Sequence, residues 1–387
     1  MRLIKRTFWF GIGTMSMALC PLLNAPSAAI AAEIPKRLLV VTVTEGFRHG
    51  SIETAEPVLE ELGRTTGLYR VDFLKIPMAR PSSPKQPKRE TGTSDEDWKK
   101  TEEVFKSESE AARVAEGHWR SEIKNRFAKA FDPESLKLFD GIIFANTTGD
   151  DLPIPDMNLF LEWIRSGKAF IGMHAATDTL KKSDGYRDLV GGAFAGHPWG
   201  GGGEHAFVVH EPNHRLSSMF PERFRWKDEI YQYDMRFDPG TVRVLLSLDM
   251  SASTPKEPWH VPVSWVREYG KGRVFYTNLG HNDATWKDDA YRKHLTEGIA
   301  WAVGNFDVLA EPNPHLQADE YIRSVVAAAA PVINRNADEL RAKVDAKIAA
   351  DQNWALSLRP MLIEGRTKQT QERLGFYANV IAEVDKP

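Results

Sequence analysis

Cysteine is nearly absent from this chain. Of 387 residues only Cys20 carries a thiol, and it lies in a segment that the sequence marks for removal. MRLIKR is a basic opening, TFWFGIGTMSMALCPLL is uncharged and apolar, and Ala29-Ile30-Ala31 has the small-x-small form of a signal-peptidase site. Residues 1–31 are therefore expected to be a Sec signal peptide, and the mature protein to be periplasmic or otherwise exported. With Cys20 gone, disulfide staples, thiolate zinc sites and a cysteine nucleophile are excluded together. The apolar stretch is near the short end for a bilayer span, so no stable membrane insertion is expected after cleavage.

A large net charge is missing too. Removing Arg2, Lys5 and Arg6 takes the formal charge from −3 to about −6. That balance gives no electrostatic case for nucleic acid or an anionic membrane as partner. Tight metal-ligand spacing of the HExxH kind is missing. The glycines of GGAFAGHPWGGGGEH do not follow a strand and open a helix, so they are no phosphate cradle.

What is present is an α/β pattern. Apolar residues make up 42% of the chain, enough for a substantial core. RLLVVTVT, then SIETAEPVLEELGRTTG with its Ser start and Gly stop, then YRVDFL read as strand, helix, strand over 37–74. Residues 78–135 break the pattern with a Pro-rich charged stretch and a mostly polar helix, expected to be a surface insertion. The pattern resumes with GIIFAN (141–146), a helix near 155–167 and AFIGM (169–173). AFVVH (206–210), VRVLLSL (242–248), PVSWVRE (262–268) and RVFYTN (273–278) are further strands, the last two joined as a hairpin by YGKG. A helix over 288–303 closes a domain expected to span 37–304, and 305–387 reads as a helical extension. The fold class is α/β: a mostly parallel sheet with an antiparallel extension and a C-terminal helical tail.

In such sheets the ligand crevice lies outside the carboxyl ends of the parallel strands. Four strand ends carry chemistry there. EGFRHGS brings Arg48 and His49; NTTGDD brings Asn146, Thr148 and Asp150; HAATDT brings His174, Thr177 and Asp178; LGHND brings His281, Asn282 and Asp283. One such histidine is ordinarily bonded to a neighbouring carbonyl and nothing more. Three at three strand ends point to convergence on one pocket. His197, Trp199, Glu204 and His205 lie in the glycine-rich segment, read as a flexible flap over a ligand. KDEIYQY adds Asp228, Glu229 and Tyr231, a source of a carboxylate for proton transfer.

GFRHGSI, NTTGD, GMHAATDT, GGAFAGHP, DEIYQY and WVREYGKGRVFYTNLGH, in this order, resemble the trehalose-utilisation ThuA-like family over about residues 37–304. The resemblance implies a flavodoxin-like sheet with helices on both faces, similar to that of class I glutamine amidotransferases. Where those relatives place a nucleophilic Cys, this chain has His174, so glutaminase chemistry through a thioester is excluded.

Two mechanisms remain open. In one, His174, with His49 or His281 and with Glu229 or Asp178, acts as acid and base on a sugar. Arg48, Asn146, Thr148, Thr177, His197, Tyr231 and Asn282 then hold the substrate, and Trp199 stacks on its ring. In the other, two or three of His49, His174, His197, His205 and His281 bind a divalent metal. The resemblance implies a small carbohydrate partner, a disaccharide or 3-keto-glycoside, processed by elimination or hydrolysis. A carbohydrate-binding protein that keeps the pocket without turnover is the alternative.

Overall fold

The computed structural model describes residues 34–76, 80–234 and 236–387; the expected leader, 1–31, lies outside them. The strand-helix-strand opening is β1 (Lys36–Val41), α1 (Ile52–Thr66) and β2 (Tyr69–Leu74). Gly67 ends α1 in the left-handed conformation, its N–H bonded to the Gly63 carbonyl, as the sequence predicts. Ser51 opens the helix without capping it, because its hydroxyl is used elsewhere, as shown below.

After α2 (Asp95–Ala130) and α3 (Pro133–Leu136) come β3 (Gly141–Ala145), α4 (Met157–Arg165), β4 (Ala169–Met173), a 3₁₀ turn (His174–Asp178) and α5 (Asp184–Val190). Every residue of β3 and β4 is buried, which is why these strands read as unbroken apolar runs. Next are β5 (Phe194–Trp199), β6 (His205–Val209), β7 (Arg223–Trp226), β8 (Ile230–Tyr233), β9 (Arg243–Leu248), and the hairpin β10 (Pro262–Tyr269) and β11 (Gly272–Thr277). Helices α6 (Asp283–Lys287), α7 (Asp289–Ala302), α8 (Pro314–Val332), α9 (Ala337–Ala350), α10 (Trp354–Gly365) and α11 (Arg373–Asp385) complete the chain.

Nine strands form the main sheet in the order β2-β1-β3-β4-β11-β10-β9-β6-β7. The first five run parallel, in the order of a flavodoxin-like sheet. The remaining four pair antiparallel and form the extension. Alternate strand residues feed two cores. Leu38 and Val40 of β1 join α1 and α7 on one face, while Leu39 and Val41 join α2, α4 and α5 on the other. This is a doubly wound sheet, built by the period-two alternation of strand side chains.

Two sequence expectations are corrected. The stretch 78–135 is more than a surface insertion, because Trp119, Ile123 and Phe127 of α2 are buried in the second core. Only the N-terminal two thirds of α2 are solvent-facing, and their polarity masks the apolar spacing of the rest. The glycine-rich segment is likewise no free flap. Phe194–Trp199 is β5, paired antiparallel with β8 as a separate two-stranded sheet; its glycines and proline hide the strand pattern.

Helices α8, α10 and α11, with α9, close around Tyr321, Ile322, Leu340, Leu362 and Phe376, and Trp259 from the β9–β10 connection enters the same core. Asn313 bonds both the N–H and the carbonyl of Val244 at 2.9 Å, which anchors the start of α8 to β9. Among the described residues no helix is long and apolar enough to cross a membrane.

Candidate active site

The loops after β1, β3 and β11 come together beside the end of β4, and three hydrogen-bonded residues stitch them. Asn146, just past β3, donates through Nδ2 to Ser51 Oγ at 2.9 Å and to the Gly280 carbonyl at 3.0 Å. Ser51 Oγ also donates to that carbonyl at 3.1 Å. Gly280 sits at φ 122°, and an added Cβ would stand 2.8 Å from the Tyr291 hydroxyl, so the turn needs glycine. The stitch closes three loops around a cluster of imidazoles.

His174 lies at its floor with no exposed surface. It stands directly after β4 at φ 45°, a conformation costly for a residue with a side chain and held here by the surrounding packing. Its Nδ1 is 2.8 Å from the Asn278 carbonyl. A carbonyl only accepts, so Nδ1 carries a proton and Nε2 is the nitrogen that faces the cluster. Asn278 is itself fixed: its side chain bonds the backbone N–H and carbonyl of Tyr231 and the hydroxyl of Tyr233.

Glu229, just before β8 and 12% exposed at its side chain, faces the imidazoles. Its Oε2 is 3.7 Å from His174 Nε2 and 3.6 Å from His281 Nε2, and its Oε1 is 3.3 Å from His197 Nδ1. His281 also has a fixed tautomer. The Asn282 amide donates through Nδ2 to the carbonyls of Gly201 and Lys227, which turns its Oδ1 toward His281 Nδ1 at 3.0 Å. That nitrogen therefore holds a proton, and Nε2 is directed at Glu229. Gly201 is approached so closely that a Cβ there would lie 2.8 Å from His281 Nδ1.

His49, 4% exposed, completes the cluster. Its ring centroid is 4.9 Å from that of His174 and 5.4 Å from that of His281, and its Nε2 is 3.2 Å from the Tyr231 hydroxyl. Burial, reinforced by the neighbouring imidazoles, lowers the His49 pKa to about 2, so the ring is neutral in the folded protein. Burial alone would raise Glu229, but His174, His281 and His197 outweigh it and hold the carboxyl below its ordinary range. His49 Nδ1 and His174 Nε2 are buried without a hydrogen-bond partner. One ligand atom each from His49, His174 and Glu229 lies within 4.8 Å of the others, a set with the donor chemistry of a transition-metal site.

The open side is formed by His197, 57% exposed, and His281, 29% exposed. Phe47, largely exposed, packs its ring edge-on to His49 at 5.0 Å, and Phe194 packs on Tyr231 at 4.4 Å. A surface cavity of about 250 Å³ bounded by Asp184, Arg187, Arg236 and Arg267 includes none of the imidazoles.

Several expected substrate contacts are instead scaffold. Trp199 is fully buried in the first core, so it has no face for a sugar; Phe47 is the aromatic at the rim. Asn146, Thr148 and Thr177 are completely buried. Thr148 donates to the Phe47 carbonyl, and Thr177 bonds the Tyr276 hydroxyl. Asn282 positions His281. Exposed Arg48 donates to the Thr42 carbonyl. Asp178 is paired with Lys181, which removes it as the carboxylate partner of His174. His205 bonds the Gly200 carbonyl and stands outside the metal-competent set, and Glu204 pairs with Arg225.

Residues the sequence reading passed over are Asp228 as scaffold, Asn278, Ser51 and Phe47. Asp228 is fully buried and accepts from the N–H groups of Gly280 at 2.7 Å, Asn282 at 2.8 Å and Glu229 at 3.1 Å. Its position beside Glu229 is visible in the sequence; its inward direction is not.

No curated protein matches the chain. Among solved structures it is similar to ThuA-like proteins from Bacteroides uniformis (20% identity, 72% of this chain and 95% of that one, TM-score 0.46) and Parabacteroides merdae (18%, 72% and 98%, 0.45). It is also similar to PurLQS from Thermotoga maritima (12%, 69% and 99%, 0.35). The family model described as ThuA, trehalose utilisation, matches residues 87–302. That match takes in the strand ends bearing Asn146, His174 and His281 together with Glu229, and the chain belongs to the ThuA family.

Proposed function

We propose that the protein is an exported carbohydrate-active enzyme that processes disaccharides or 3-keto-glycosides by acid/base elimination or hydrolysis. The observation that carries this reading is one carboxylate, Glu229, faced by three imidazoles at 3.3–3.7 Å at the carboxyl end of a parallel sheet. The family description supports a sugar as substrate, and the basic and apolar leader supports export.

The chemistry suits a 3-keto sugar. A carbonyl at C3 makes the C2 proton acidic, so a base removes it to leave an enolate. The electrons then return to expel the C1 oxygen, and the aglycone leaves with a proton from an acid. Water added across the resulting double bond gives net hydrolysis. His281, partly exposed and with its Nε2 directed at the cluster, is placed to take the C2 proton. His197, on the open side of Glu229, is placed to protonate the leaving oxygen. The sugar ring lies against Phe47.

Incubation of the protein with 3-keto-trehalose tests this. Wild type releases product, and His174→Ala and His281→Ala each lose roughly 100-fold or more in kcat/KM. His205→Ala, outside the cluster, keeps wild-type activity. Equal product from wild type and His174→Ala removes the reading.

A further inference from the structure

The cluster around Glu229 leaves buried ring nitrogens unsatisfied: His49 Nδ1 and His174 Nε2 have no hydrogen-bond partner. The two nitrogens that face Glu229 Oε2 are His174 Nε2 at 3.7 Å and His281 Nε2 at 3.6 Å. The opposite nitrogen of each ring already spends its proton on Asn278 or Asn282. These separations exceed hydrogen-bond length. Among the described residues the ion pairs of Glu229 are with histidines alone. Buried polar atoms without a partner cost stability, so a ligand that satisfies them is favoured.

We infer that His49, His174 and Glu229 bind a first-row divalent cation, zinc by donor type. Two imidazoles and one carboxylate, with a fourth position open toward His281 and His197, form the ligand set of catalytic zinc. The outer shell is already built. The Nδ1–H of His174 is held by a carbonyl whose residue is locked by three bonds to Tyr231 and Tyr233, the second-shell pattern that fixes the tautomer and direction of a metal-bound imidazole. Metal–ligand bonds of about 2.0–2.2 Å would bring closer the atoms that lie within 4.8 Å of one another. A cation held by these residues would polarise a substrate oxygen. The site stands on its own geometry, independent of which sugar is used.

The test is metal content of the full chain, purified free of any histidine tag and without added metal, followed by calorimetric titration of the EDTA-treated protein with zinc chloride. The expected result is close to one first-row metal per chain and one saturable zinc site. Glu229→Gln and His174→Ala weaken that binding by more than roughly 100-fold, and His205→Ala keeps it. Glu229→Gln preserves shape and carries the test even where His174→Ala does not fold. No co-purifying metal together with no saturable zinc binding overturns the inference, as does full binding in both variants. Keto-sugar turnover by metal-free protein also overturns it while leaving the proposed function intact. Stoichiometric metal without turnover supports it and removes the proposed function instead.

Discussion

Asp228 and Glu229 are adjacent carboxylates with opposite surroundings. Glu229 looks onto imidazoles. Asp228 is turned into the protein, where burial raises its pKa while the N–H groups of Gly280 and Asn282 and nearby His174 oppose the rise. It acts as a clamp: three backbone donors from two loops meet one side chain, and His281 sits between two of them. Asp228→Asn keeps the shape but presents an NH₂ group to a backbone N–H. A loss of about 1–3 kcal/mol in stability is expected for a buried donor left without its acceptor, with His281 displaced. Urea denaturation of the variant checks this, and a midpoint equal to that of wild type rejects the clamp. The sequence placed His49, His174 and His281 at strand ends because strand termini are legible from hydrophobic runs. It offered no sign that Trp199 points inward, since β5 carries a glycine and a proline before it and shows no alternation.

At the scale of elements, what was legible followed regular periodicity. β3, β4 and the β10–β11 hairpin were visible as unbroken apolar runs with a glycine turn, and α1 through its Ser and Gly ends. The two-stranded β5–β8 sheet was invisible because each strand is short and one is irregular, with register shifts at Gly196 and Trp199. Helix α2 was legible as a helix but not as part of the core. Three buried residues among 36 are too few to colour the whole segment, yet Trp119 and Phe127 are nearly or fully buried, and Phe127 stacks on Phe131 at 5.3 Å. Phe127→Ala therefore is expected to cost about 3–5 kcal/mol, the usual range for a buried aromatic. Val104→Ala, on the exposed part of the same helix, is expected to stay within about 0.5 kcal/mol of wild type. Chemical denaturation distinguishes them; similar small effects at both positions mean that α2 contributes nothing to the core.

The whole molecule carries a further consequence of burying imidazoles away from the candidate site. His294 of α7 is buried against Ser264 of β10, its Nδ1 2.6 Å from the Leu216 carbonyl, and His260 and His210 meet the same Ser247 hydroxyl at 3.2 and 2.8 Å. Burial pushes His210 and His294 down to about 4, and His260 well below its ordinary value. All three are neutral in the folded chain and take up protons on unfolding below about pH 6.5, so the unfolded state binds more protons and stability falls with pH. Carboxyls that burial raises oppose them, Asp178, Asp228 and Asp319 among them. Burial raises Asp319 of α8 to about 6, so between that value and its unfolded pKa near 4 the folded state holds the extra proton and gains stability as pH falls. His49, held neutral in the same way, adds to the imidazole side, and stability is expected to fall as the pH drops below about 6.5. Asp319→Asn removes one of the opposing groups. The variant is expected to be more stable than wild type at pH 7 by about 1–2 kcal/mol, because a poorly solvated charge is gone, and to lose stability more steeply on acidification. Guanidinium midpoints of both proteins at pH 7, 6 and 5 measure the two slopes; a wild-type midpoint that does not move across this range means that the interior imidazoles do not control acid stability.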